Sequence, residues 1–66
     1  MVIHMCESTV YIEENGNRTE FMKEVAKIEV TPQGIICYDI IGEMREVTGG
    51  KFKIANLMEH SIIIEK

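Results

Sequence analysis

The chain has 66 residues, with eleven acidic against seven basic side chains and a formal net charge of −4. That length gives one domain, marginal alone because a chain this size buries only about 60% of the surface its unfolded form exposes. Two cysteines are too few for a disulfide scaffold, no secretory leader opens the sequence, and no apolar run approaches the roughly 20 residues that cross a bilayer, so a reduced, cytoplasmic setting is expected.

Turn residues cut the chain into short pieces, the spacing of an all-β barrel or sandwich. Residues 1–5 read as an N-terminal extension and 6–66 as the single β domain. Residues 6–13 alternate, with Cys6, Ser8, Val10 and Ile12 on one face and Glu7, Thr9, Tyr11 and Glu13 on the other. Asn15-Gly16 follows, the strongest short hairpin signal because both residues tolerate positive φ. Phe21, Met22, Val25 and Ala26 fall at helical spacing, and Asn17 with Glu20 could form a capping box. Ala26, Ile28 and Val30, however, alternate with Lys27, Glu29 and Thr31. The reading is therefore a short strand or irregular turn over 19–24 and a strand over 25–31, with a one-turn helix as the alternative.

Thr31-Pro32-Gln33-Gly34 is a tight turn. Residues 35–41 are apolar on both faces, as suits a central strand or one covered by a partner. Gly42 leads into a strand over 43–48, Gly49-Gly50 breaks it, and strands over 51–57 and 60–65 follow. The expected fold is a small antiparallel barrel, SH3-like or Sm-like, of about six short strands. Its expected core is Val10, Ile12, Ile28, Val30, Ile35, Cys37, Ile40, Val47, Phe52, Ile54, Leu57, Ile62 and Ile64. Tyr11, Ile41 and Ile63 are expected on outer faces, where a symmetric dimer would bury some of them.

The chemistry-bearing residues concentrate at the start. His4, Met5 and Cys6 combine an imidazole, backbone amides and a thiolate, strong-field donors that favour a tetragonal d⁸ or d⁹ ion such as Ni(II) or Cu(II). A chain beginning at Met5 would offer that residue's amine with the Cys6 amide and sulfur; with Met1 retained, His4 replaces the amine. Cys37 reads as a small buried hydrophobe and His60 as a turn-capping or half-buried histidine. A zinc site from His4, Cys6, Cys37 and His60 has suitable ligand types but lacks paired spacing. An RNA platform would draw on Tyr11, Tyr38, Phe52, Lys51 and Lys53, against which the acidic balance weighs. No catalytic triad, phosphate-cradling loop or acid/base dyad is present, so no enzyme is expected.

Met5-Cys6 leading into a Val-Tyr-Ile strand, the Glu-Glu-Asn-Gly hairpin, the Lys-Ile-Glu-Val strand, the Asp39-Ile40-Ile41-Gly42-Glu43 turn and the closing isoleucine strand together resemble the CooT family of small nickel-binding proteins. The resemblance runs from Met5 to the C-terminus. It implies a homodimeric β fold that binds Ni(II) through the cysteine after the initiator methionine, here Cys6, with the Met5 and Cys6 backbone as nitrogen source. It further implies a carrier or store in the maturation of a nickel enzyme of the carbon monoxide dehydrogenase type. Cu(II) and Zn(II) are the competing ions expected in vitro. Members of the family have also been labelled predicted RNA-binding proteins, and a ligand-free dimerisation module is a further alternative. Met1 to His4 depart from the family pattern by preceding its usual start. If retained, they tie the Met5 amine into a peptide bond and promote His4.

Overall fold

The computed structural model of the chain describes residues 2–66, with 3–6 described by their place in a strand alone. Six strands form one sheet: β1 (Val2–Glu14), β2 (Asn17–Thr31), β3 (Gly34–Asp39), β4 (Met44–Thr48), β5 (Lys51–Asn56) and β6 (Ser61–Glu65), in the spatial order β4-β3-β2-β1-β6-β5. The fold is all-β as expected. The sheet is not closed into a barrel by hydrogen bonds, and β1 pairs with β6 in parallel.

The frame is one long hairpin. Asn15 and Gly16 both take positive φ, 53° and 80°, the turn geometry whose twist matches the flanking strands. Over 19–24, expected to be a short strand or an irregular turn with a helical alternative, the chain is strand, and β2 runs unbroken from Asn17 to Thr31 because β1 supplies ladder partners on both sides of the register shifts. The irregularity survives as a bend. Register shifts fall in β1 between His4 and Tyr11, and Glu24 opposite them sits at φ 55°. Extra residues in one strand of a pair sharpen local twist, so the two halves of the hairpin point in different directions.

Each half acquires its own flank. β3 and β4 add along Val25–Thr31 of β2, while β6 and β5 add along Thr9–Glu13 of β1. A flat sheet of this order would hold β4 and β5 roughly 24 Å apart. Only Gly49-Gly50 joins them, a span of about 11 Å at full stretch, so the sheet must curl until its edges nearly meet at that corner. Gly50 makes the approach possible: a Cβ there would lie 2.7 Å from Val47 Cγ1 and 2.8 Å from Ile64 Cγ2.

The core between the two halves comprises Val10, Met22, Val25, Ile28, Ile35, Cys37, Val47, Ile62 and Ile64, with Ile12, Phe21, Val30 and Phe52 packed against it. Three expected core residues are exposed instead. Ile40 falls in the turn after β3, because Asp39 Oδ1 accepts from the Ile41 and Glu43 amides and ends the strand. Ile54 follows a bulge in β5 that pairs it with Ile63 and turns it away from the face of Phe52. Leu57 lies beyond β5, in the turn held by Asn56 Oδ1, which accepts from the Met58 and Glu59 amides. Ile63, expected outward, is nearly buried, with Tyr11 and Ile54 as its ladder neighbours. Met22 and Val25 join the core through β2's continuity, which their mixed periodicity concealed.

Candidate metal centre

The first half of β1 carries the proposed donors. Val2, Ile3 and His4 pair with Glu29, Ile28 and Lys27 of β2. On the other side of β1, β6 begins pairing only at Thr9, whose amide donates to the His60 carbonyl at 2.9 Å. Among the described residues, the backbone ahead of Thr9 therefore has a strand neighbour on one side only. The side chains of His4, Met5 and Cys6 lie outside the described residues. His60 is exposed, at φ 51°, in the turn beside this segment.

Cys37 is in a different environment. It is fully buried, with Ile28 and Arg45 as ladder neighbours. Burial pushes its thiol up to about 11, with the nearby Arg45 cation opposing the shift. A thiol that stays protonated at neutral pH is a poor metal ligand, since the thiolate is the coordinating species. The core position expected for Cys37 is the one observed. Among the described residues, no group of three or more His, Cys, Asp or Glu side chains is arranged to hold a metal.

Three of the residues considered for an RNA platform, Tyr38, Phe52 and Lys53, have other partners. The Tyr38 hydroxyl donates to Glu29 Oε1 at 2.9 Å, which holds the phenol above its usual pKa, and Lys27 Nζ sits 4.1 Å from the centre of the same ring. Phe52 packs on the core. Lys53 donates to Glu13 Oε1 at 2.6 Å and lies 3.8 Å from Glu65. Arg18 binds the other Glu13 oxygen at 3.1 Å. The Lys53 bond first, and Arg18 second, draw the Glu13 carboxyl below its ordinary range. Clefts of about 260 and 350 Å³ flank Lys51 at the corner where the sheet fails to close. The first mixes Glu13 and Glu65 with Lys51 and Lys66, so it presents no single sign of charge.

Sequence reasoning missed one feature of the opposite flank. Arg45 Nη1 donates to the Phe21 carbonyl at 2.6 Å and its guanidinium lies 4.4 Å from the Phe21 ring centre. That carbonyl is on the outer side of β2's first half, which has no strand neighbour there. The contact spans residues 24 apart in sequence, and no local pattern marks it.

A family model described as "CO dehydrogenase accessory protein CooT" matches residues 5–65. The chain belongs to the CooT family. An uncharacterized protein of Methanothermobacter thermautotrophicus is 42% identical over 65 residues, covering 98% of this chain and 95% of that one. The crystal structure of a protein designated CooT from Carboxydothermus hydrogenoformans superposes with a TM-score of 0.82 at 26% identity, covering 92% of this chain and 97% of that one. The CooT match begins at Met5, so Cys6 is the second residue of the family region. Val2, Ile3 and His4 lie ahead of that region but within β1, and the archaeal relative's match extends over them.

Proposed function

We propose that this CooT-family chain is a homodimeric Ni(II)-binding accessory protein, a small carrier or store acting in the maturation of a carbon monoxide dehydrogenase-type enzyme, with Cys6 as the thiolate ligand. The observation that carries the reading is the position of Cys6, second in the family region and on a strand segment that, among the described residues, pairs with β2 alone. Met5 and Cys6 supply backbone nitrogen. In a chain beginning at Met5, that residue's free amine joins the set; where Met1 to His4 are retained, its nitrogen is an amide and the His4 imidazole stands in for the amine. The high pKa of the Cys37 thiol leaves Cys6 as the cysteine suited to the role. Cu(II) and Zn(II) compete at the same donors in vitro.

Dimerisation has support in the surface. Ile54 is 48% exposed and ends the outer-face row Tyr11–Ile63–Ile54, with Leu57 and Met58 just beyond at 70% and 93%. Burying a few hundred Å² of such surface contributes several kcal/mol at about 25 cal/mol per Å², a large fraction of the stability of a domain this small.

The ligands must lose protons to bind, so affinity rises with pH through the thiol range near 8.5. Titration calorimetry on reduced protein tests the assignment. Cys6→Ser is expected to lose most Ni(II) affinity while remaining folded, and Cys37→Ala to retain it. Equal binding by wild type and Cys6→Ser would refute it.

A further inference from the structure

The turn between β3 and β4 is rigid and apolar at once. Asp39 Oδ1 accepts from the Ile41 amide at 3.1 Å and the Glu43 amide at 2.8 Å. The Asp39 amide donates to the Glu43 carbonyl and the Gly42 amide to the Asp39 carbonyl, both at 3.0 Å. The Ile40 amide ties the turn to the Glu24 carbonyl of β2 at 3.1 Å, and Gly42 supplies the reversal at φ 89°. On this framework Ile40, Ile41 and Met44 are 49%, 80% and 58% exposed. Backbone ordering has already been met by the fold, so docking here costs side-chain ordering but little further loop entropy.

The rim is acidic. Glu24, Glu43 and Glu46 are exposed around the three apolar residues. Of the nearby cations, Arg45 is committed to Phe21 and Lys27 to the Tyr38 ring beside Met44, leaving Lys23. A second copy meeting this surface symmetrically would set these carboxylates against their own counterparts, which like-charge repulsion opposes. The turn is on the β2 side of the hairpin, where Asp39 is level with Val25 and, across it, Ser8, and it lies outside the Tyr11–Ile63–Ile54 row. It remains accessible in a dimer built on that row.

We infer that the β3–β4 turn, with Ile41 at its tip and Ile40 and Met44 beside it, is the docking surface for a client protein that presents an apolar groove with a cationic rim. This rests on the accessory reading above and adds the surface through which the client is engaged. Hydrophobic contact at Ile41 supplies the anchor, and Glu24, Glu43 and Glu46 steer the approach.

The test uses the full chain and, as probe, purified metal-free carbon monoxide dehydrogenase from the same organism, with affinity measured at about 0.05 M and about 0.5 M salt. Wild type is expected to bind, more weakly at the higher salt. Ile41→Asp, at a solvent-exposed position, is expected to weaken binding about tenfold or more with Ni(II) uptake and oligomeric state unchanged. Glu43→Lys should weaken binding mainly at low salt. Unchanged affinity of Ile41→Asp would overturn the surface, and salt-independent binding would overturn the cationic rim. Absence of any wild-type binding would overturn the docking itself. Cys6→Ser separates this inference from the metal reading: it is expected to dock normally although it no longer takes up Ni(II).

Discussion

The two halves of the β1–β2 hairpin leave two backbone flanks without a strand neighbour, and they are treated differently. Along the first half of β2, Arg45 occupies the Phe21 carbonyl and stacks on its ring. Along the first half of β1, which leads into Cys6, no strand among the described residues pairs on the side away from β2 until β6 begins at Thr9. An unpaired edge is a template for another strand, and proteins blunt such edges with charged side chains. Arg45 caps one flank, while the other has no second strand neighbour among the described residues ahead of Thr9. The second of these flanks leads into Cys6.

Ile28→Ala should have the largest effect on this arrangement. Ile28 is fully buried and aligned with Ile3 on one side and Cys37 on the other, so it ties the β1 segment to the core. Losing its side chain should cost about 3–4 kcal/mol. That approaches the total stability of a domain this small, and urea unfolding should show a collapsed midpoint. A loss under about 1 kcal/mol would mean the β1 segment is not anchored through this row.

Alkaline pH tests the same row more gently. The Cys37 thiol has a folded pKa of about 11 against an ordinary value of 9.0. Between those values the unfolded chain releases the proton first, so this thiol's contribution is constant below about pH 9 and is lost toward pH 11, lowering stability by on the order of 2 kcal/mol. Cys37→Ala should remove that component of the pH dependence. Denaturant midpoints across the range measure both.

Arg45→Ala sharpens the comparison most directly with the smallest energetic effect. It removes one hydrogen bond and one cation–π contact, both exposed, for about 1 kcal/mol. The Phe21 edge would then resemble the β1 edge. Sedimentation analysis should show new, concentration-dependent association beyond the wild-type state. If association is unchanged, Arg45 is not what keeps the β2 flank unpaired.

Most of the fold was legible because strands report themselves through alternation and turns through Gly, Asn and Pro. Val10, Ile28, Ile35, Cys37, Val47, Ile62 and Ile64 were placed in the core from sequence and are buried. The misplacements share a cause. Alternation assumes constant register, and a single bulge in β5 reverses the faces of Ile54 and everything after it. Likewise, Asp39 and Asn56 end strands by capturing amides with their side chains, which leaves Ile40 and Leu57 outside. Parallel pairing of β1 with β6 and the Arg45–Phe21 contact join distant segments, and no local pattern encodes them. Of the candidate site, the cysteine beside a methionine was readable from the first residues. The one-sided pairing of its strand required the topology.

The most direct measurement is nickel-edge X-ray absorption on reduced, Ni(II)-loaded protein, comparing wild type with Cys6→Ser and Cys37→Ala. The expected result is a sulfur scatterer in wild type and Cys37→Ala that disappears in Cys6→Ser. A purely nitrogen and oxygen shell in wild type, or sulfur retained in Cys6→Ser, would contradict Cys6 as the ligand.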